Sequence, residues 1–170
     1  MDAAALWARV IDDRSGFREE FFSILDDHSV RFCVIEVNAY VEPLISLDLD
    51  VAVATEDLDR VERLLSERFC VEQFEHSLNV SAAGSQLRVQ IQTDPRYAAF
   101  VSRATSREVL GVRLQVAAVE DILQGKLWAF LDETRRGTKR QKDLADIGRL
   151  IEAYPRLRER VPREVLNRLI

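Results

Sequence analysis

Apolar residues recur at helical spacing over residues 17–27, where Phe17, Phe21, Ile24 and Leu25 fall on one side after a break at Gly16. The pattern then shortens. Residues 32–37 form an apolar run that predicts a strand, followed by a connection containing Pro43. Residues 47–53 alternate, and side chains on a strand point to opposite faces with period two. Ser46, Asp48, Asp50 and Ala52 therefore share one face, and Leu47, Leu49, Val51 and Val53 the other. Thr55 is the expected N-cap of the next helix. Glu56 and Asp57 stand in its first turn, where they suit the helix dipole, and Leu58, Val61, Leu64 and Leu65 form its apolar stripe.

Short strands are predicted at residues 69–74, 78–82 and 87–92. Gly84-Ser85 turns the chain into the last of these and Asp94-Pro95 ends it. Within it Val89 and Ile91 oppose Arg88, Gln90 and Gln92. A strand at 112–116 leads into helices at about 119–132, 139–153 and 163–169, with Gly137 parting the first two and Pro155 and Pro162 punctuating the end. Strands first and helices afterwards favour an α+β fold with a small mixed sheet. The reading is one domain, strand-rich over about 17–116 and helical over about 119–170.

Composition narrows the class without changing this picture. The chain has 170 residues, 47% hydrophobic and 31% charged, the balance of an ordinary globular protein with a real core. No apolar run approaches the ~20 residues needed to span a bilayer. The opening Met1-Asp2-Ala3 lacks the basic start of a secretory signal, so a cytoplasmic location is expected. Cys33 and Cys70 sit in apolar, strand-like runs and read as reduced core residues. His28 and His76 have no His or Cys neighbours, which argues against zinc. Trp7, Trp128 and Phe130 read as core, and Tyr40 as a packing residue or a base contact. There is no Gly-x-Ser-x-Gly elbow, P-loop or Gly-x-Gly-x-x-Gly turn, which removes acyl hydrolase, P-loop and Rossmann readings.

Charge matters locally. The net charge is -5, yet Arg135, Arg136, Lys139, Arg140 and Lys142 are clustered, giving either a solvated helix face or a local anion site. Asp48 and Asp50 are either solvated strand acids or the ligands of a divalent ion; like charges so close favour a cation between them, and oxygen ligands suit Mg²⁺ or Mn²⁺. Lys126 lies among apolar neighbours, a position from which an ammonium can meet a phosphate. Lys139/Asp143 and Lys142/Asp146 are spaced i,i+4 and can brace a helix at ~0.2–0.5 kcal/mol each.

Three segments, Leu47-Asp48-Leu49-Asp50-Val51, Glu120-Asp121-Ile122-Leu123-Gln124-Gly125-Lys126-Leu127-Trp128-Ala129 and Arg140-Gln141-Lys142-Asp143-Leu144-Ala145-Asp146-Ile147, resemble in this order the nucleotidyltransferase-like proteins of the AbiEii toxin type, of the DNA polymerase β nucleotidyltransferase superfamily. The resemblance implies a small mixed sheet packed by helices and an NTP bound through Mg²⁺. It further implies nucleotidyl transfer to an acceptor hydroxyl, such as a tRNA or other RNA end, with an antitoxin protein as partner. Asp48 and Asp50 would be the catalytic metal ligands, and Lys126, Lys142, Asp143 and Asp146 would bind the nucleotide. The chain departs from that family twice. Ile35-Glu36-Val37-Asn38-Ala39-Tyr40 stands where the family has a glycine pair, and Gln90 and Gln92 stand where it has a third carboxylate. The alternative is therefore a non-enzymatic module that binds nucleotide, RNA or protein.

Overall fold

The computed structural model describes residues 15–41, 47–109 and 112–169. The expectations on Met1-Asp2-Ala3, Trp7, Pro43 and Ser46 lie outside these residues. The α+β expectation holds. Among the described residues, seven strands form one mixed sheet in the order β3-β4-β5-β2-β1-β7-β6: β1 (Phe32–Val34), β2 (Asp48–Val53), β3 (Cys70–Gln73), β4 (Ser77–Ser81), β5 (Arg88–Gln92), β6 (Thr105–Val109) and β7 (Val112–Val116). The pairs β2–β5 and β1–β7 are parallel and the rest antiparallel.

The alternation read from the sequence decides what covers each face. Val51 and Val53 of β2, Val89 and Ile91 of β5, and Leu78 and Val80 of β4 are buried on one side. Helix α1 (Phe17–Asp27), which starts after a left-handed Gly16 with φ 74°, packs there through Phe22, whose ring lies 5.5 Å from that of Phe32. Phe17 meets Phe69 edge-on at 4.9 Å, tying α1 to the end of α2 (Leu58–Ser66). The other face carries Cys33 and Ala52 under the helices and a polar row beyond them. Along that row Glu72 of β3, Asn79 of β4, Gln90 of β5 and Asp50 of β2 are register partners.

On this second side lie α3 (Ala98–Arg103), α4 (Val119–Leu131) and α5 (Gly137–Ala153). Phe100 stacks on Trp128 with centroids 5.7 Å apart and planes 5° from parallel, which locks α3 to α4. Gly125 lets Tyr97 approach α4, because a Cβ there would lie 3.1 Å from the Tyr97 ring. A helical turn over Pro155–Arg160 and the short α6 (Arg163–Leu166) close the described chain, burying Leu157, Val161 and Val165.

Several expectations needed correction. The first strand stops at Val34 rather than continuing to Val37, and a 3-10 turn over Val37–Ala39 follows. The cause is local. Ile35 still donates to the Asp50 carbonyl, but the Asp50 N–H is taken by the Glu36 side chain at 3.0 Å, so the ladder ends. Thr55 does not cap α2; a 3-10 turn over Thr55–Asp57 precedes it, and the Asp57 carboxylate instead accepts from the Arg31 N–H and from Arg60. Helix α3 and strand β6 were not foreseen. Four of five β6 residues are not buried, as befits an edge strand with little apolar signal. Cys33 is buried as expected, but Cys70 is exposed, because its register partner Ser81 puts it on the polar face of the edge strand. Trp128 and Phe130 pack into or against the core. Tyr40 is a packing residue whose hydroxyl donates to the Ala117 carbonyl at 2.7 Å under the Arg107 guanidinium.

Candidate functional site

The polar half of the sheet and the α4–α5 pair enclose two adjoining hollows of about 140 and 190 Å³. Both are lined by Ile35, Asp50, Gln90, Lys126, Arg135 and Asp143, so they form one cleft with two ends. The end toward β4 is nearly neutral and adds His76, Ser77, Gln92 and Tyr97. The opposite end adds Glu36, Asn38 and Asp48 from the sheet side and Lys139, Lys142, Asp146 and Arg149 from α5. Every site residue expected from the sequence therefore borders this cleft.

Lys126 is its centre. The ammonium lies 2.9 Å from an Asp146 oxygen and 3.4 Å from an Asp143 oxygen. The two carboxylates keep only 9% and 3% of their side-chain surface exposed. Arg135 Nε reaches the second oxygen of Asp143 at 2.8 Å, and Arg149 reaches that of Asp146 at 3.0 Å while also donating to Asn38 at 3.2 Å. Burial alone would drive a proton off Lys126, but the carboxylates of Asp146, Asp50 and Asp143 outweigh it and hold the ammonium charged. The i,i+4 pairing of Lys139 with Asp143 and of Lys142 with Asp146 is not adopted. The buried acids turn to Lys126, Arg135 and Arg149, and among the described residues Lys139 and Lys142 are not ion-paired and stand exposed on the cleft rim. Of the rest of the basic cluster, Arg140 turns away to donate to the Phe130 carbonyl at 2.7 Å.

On the sheet side, Asp48 and Asp50 lie on one face as alternation requires. Their surroundings differ. An Asp48 oxygen accepts from Arg88 Nε at 3.0 Å and lies 3.0 Å from Nη2 of the same guanidinium. Asp50 is half-buried, and burial pushes its carboxyl above the usual range against the opposing pull of Lys126. Glu36 is pushed up to about 8, first by burial and then by the neighbouring Asp50 charge. Sequence reasoning marked Glu36 only as part of the segment that stands in the place of a glycine pair. Its bond to the Asp50 N–H follows from the return of the chain after β1 and has no sequence signal. Arg149 and Asn38 were also missed, although the i,i+3 spacing of Arg149 from Asp146 was a usable hint.

A divalent ion of the Mg²⁺ type asks for several hard oxygen ligands in near-octahedral array. This cleft does not assemble them. Gln90, opposite Asp50, offers a neutral amide where a third acid would be needed, and an Asp48 oxygen is occupied by Arg88. The cation that acts most strongly on the Asp50 carboxyl is the Lys126 ammonium. Among the described residues no group of three or more His, Cys, Asp or Glu side chains could hold a metal.

No protein-family model and no curated relative matches the sequence. Solved structures do match the fold. The antibiotic-resistance factor ANT(2'')-Ia aligns over 87% of this chain and 94% of its own, at 11% identity and a TM-score of 0.52. An antigenic nucleotidyltransferase-like protein from Paracoccidioides brasiliensis aligns over 84% and 77% at 15% identity, TM-score 0.51. A provisionally assigned nucleotidyltransferase from Thermotoga maritima aligns over 69% and 85% at 16% identity, TM-score 0.51. At such identities the likeness is one of fold: the chain has a nucleotidyltransferase fold.

Proposed function

We propose that this protein binds a nucleoside triphosphate in the cleft between β2–β5 and α4–α5. One observation carries the reading: a charged lysine, Lys126, is fixed by two buried acids of α5 in a cleft it shares with Asp50, within a nucleotidyltransferase fold. The exposed Lys139 and Lys142 beside it suit the phosphates, since an ammonium is a strong donor to an anionic oxygen. Gln90, Gln92 and His76 at the neutral end suit a base, whose edges offer both donors and acceptors. Lys126, Lys142, Asp143 and Asp146 are then the nucleotide-binding residues, with Lys142 touching phosphate and the two acids positioning Lys126. The chain acts as one nucleotidyltransferase-like domain, and two unpaired cysteines fit a cytoplasmic location. No helix among the described residues is long and apolar enough to cross a membrane.

The second reading is an AbiEii-like transferase, which passes a nucleotidyl group to an RNA hydroxyl and answers to an antitoxin. It is favoured by Asp48 and Asp50 lining the same end of the cleft as Lys139 and Lys142. Binding without transfer is preferred because Gln90 and Glu36 stand where the superfamily keeps an acid and a glycine. Incubation with labelled NTPs and total tRNA decides between them. Calorimetric ATP binding with no label on RNA supports the module, and label on RNA that vanishes in Asp48→Asn/Asp50→Asn supports the transferase. If ATP does not bind and no label transfers, both readings fail.

A further inference from the structure

We propose that the cleft holds the phosphate chain of its nucleotide on ammonium groups, Lys139 and Lys142 of α5, without a divalent ion. The inference rests on the nucleotide-binding reading and specifies how that site works.

The cleft lined by Asp50 already carries positive charge, and the Lys126 ammonium pulls on the Asp50 carboxyl. Lys126 enters from α4, and Asp143 and Asp146 hold it there from α5. A dication brought to Asp50 would face that ammonium in a half-buried site, where like charges are poorly screened. Its oxygen donors are also depleted. Arg88 engages Asp48, Gln90 replaces an acid, and the Glu36 side chain is used on the Asp50 N–H. A metal-bridged triphosphate normally needs carboxylates on the protein side to complete the coordination of the ion.

The same geometry redirects the phosphates. Glu36 ends β1 by accepting the Asp50 N–H, and the chain then turns through Val37–Ala39. A glutamate side chain therefore stands where bare backbone N–H groups would otherwise meet an anion. The facing wall is the reverse case. Lys139 and Lys142, one helical turn apart on α5, line the cleft with exposed ammoniums, while the acids of that helix are consumed by Lys126, Arg135 and Arg149. Exposed ammoniums on α5, opposite the acids of β2, set both the position and the polarity of the bound phosphates.

The test is calorimetry of the full chain with ATP and with inorganic triphosphate, in EDTA and in excess MgCl₂. The expected result is ATP affinity that agrees between the two buffers within about threefold. Lys139→Gln/Lys142→Gln should weaken binding about tenfold in both, equal to ~1.4 kcal/mol. Both lysines are exposed, and an unchanged circular dichroism melt of the double variant certifies its fold. ATP binding that tightens tenfold or more with Mg²⁺, and loses that gain in Asp48→Asn/Asp50→Asn, overturns the metal-free site but leaves nucleotide binding intact. A folded double variant that binds as well as the parent overturns the assignment to Lys139 and Lys142. Triphosphate that binds in EDTA supports recognition through phosphate. Absence of ATP binding in either buffer removes the nucleotide reading itself.

Discussion

Lys126 owes its charge to neighbours that are remote in sequence. Asp143 and Asp146 lie a helix away, and each also holds a guanidinium, from Arg135 and Arg149 respectively. Replacing Lys126 with methionine keeps the aliphatic stem but leaves two buried carboxylates short of one cation. Because each acid retains a second partner, the loss should sit at the low end for a broken buried pair, ~3 kcal/mol, measured by urea unfolding. A loss below ~1 kcal/mol would mean the node is no stronger than a surface pair. Glu36 makes the opposite prediction. Its folded-state value of about 8 lies above the ~4.3 of an unfolded glutamate, so folding favours the protonated form. The associated stability is full below the unfolded value and is lost as pH rises through about 8. Glu36→Gln keeps an oxygen to accept the Asp50 N–H and removes the titration. Thermal melts should show the variant more stable than the parent above pH ~8 and converging with it below pH ~4. A constant difference across that range would refute the assignment.

At the scale of elements, the contact of α3 with α4 depends on Gly125. Its missing Cβ leaves room for the Tyr97 ring, whose hydroxyl lies 3.4 Å from the Gly125 carbonyl. Gly125→Val should displace the ring and cost ~1–3 kcal/mol by overpacking, even though glycine is itself a poor helix residue. The readout is a lower melting temperature together with altered Trp128 fluorescence, since Tyr97 packs edge-on against that indole at 5.4 Å. An unchanged emission spectrum would show that the ring does not depend on the gap. Elements with a strong apolar period were legible: α1 spans the residues the stripe marked, and β5 keeps the predicted alternation, whereas β2 is half-buried over its first three residues and buried over its last three. The failures share a cause. Helix α3 has six residues and strand β6 is a mostly uncovered edge, so neither buries enough apolar surface to write a period into the chain.

Across the whole molecule, charge is divided between two walls. The protein carries -5 overall, yet α5 presents Lys139 and Lys142 to the cleft while the facing strand β2 carries Asp48 and Asp50. Exposed ammoniums are screened by salt, with a Debye length of ~10 Å at 0.1 M, whereas the half-buried Lys126 node is screened much less. ATP affinity should therefore fall steeply from low to high ionic strength while the melting temperature changes little. Flat affinity over that range would move the phosphates away from the α5 lysines.

The chain's own order of residues determined the α+β class, the common face of Asp48 and Asp50, the burial of Val89 and Ile91, and a resemblance that led to the right fold. These are consequences of local periodicity and of residue types at fixed spacing, which need no partner to be read. Tertiary structure alone decided that Lys126 is held by Asp143 and Asp146 rather than left open, that Glu36 closes the end of β1, and that Gln90 lies opposite Asp50. Each of these depends on which strands become neighbours and how α4 and α5 dock. Such contacts join residues far apart in sequence through burial and electrostatics, and no local pattern encodes them.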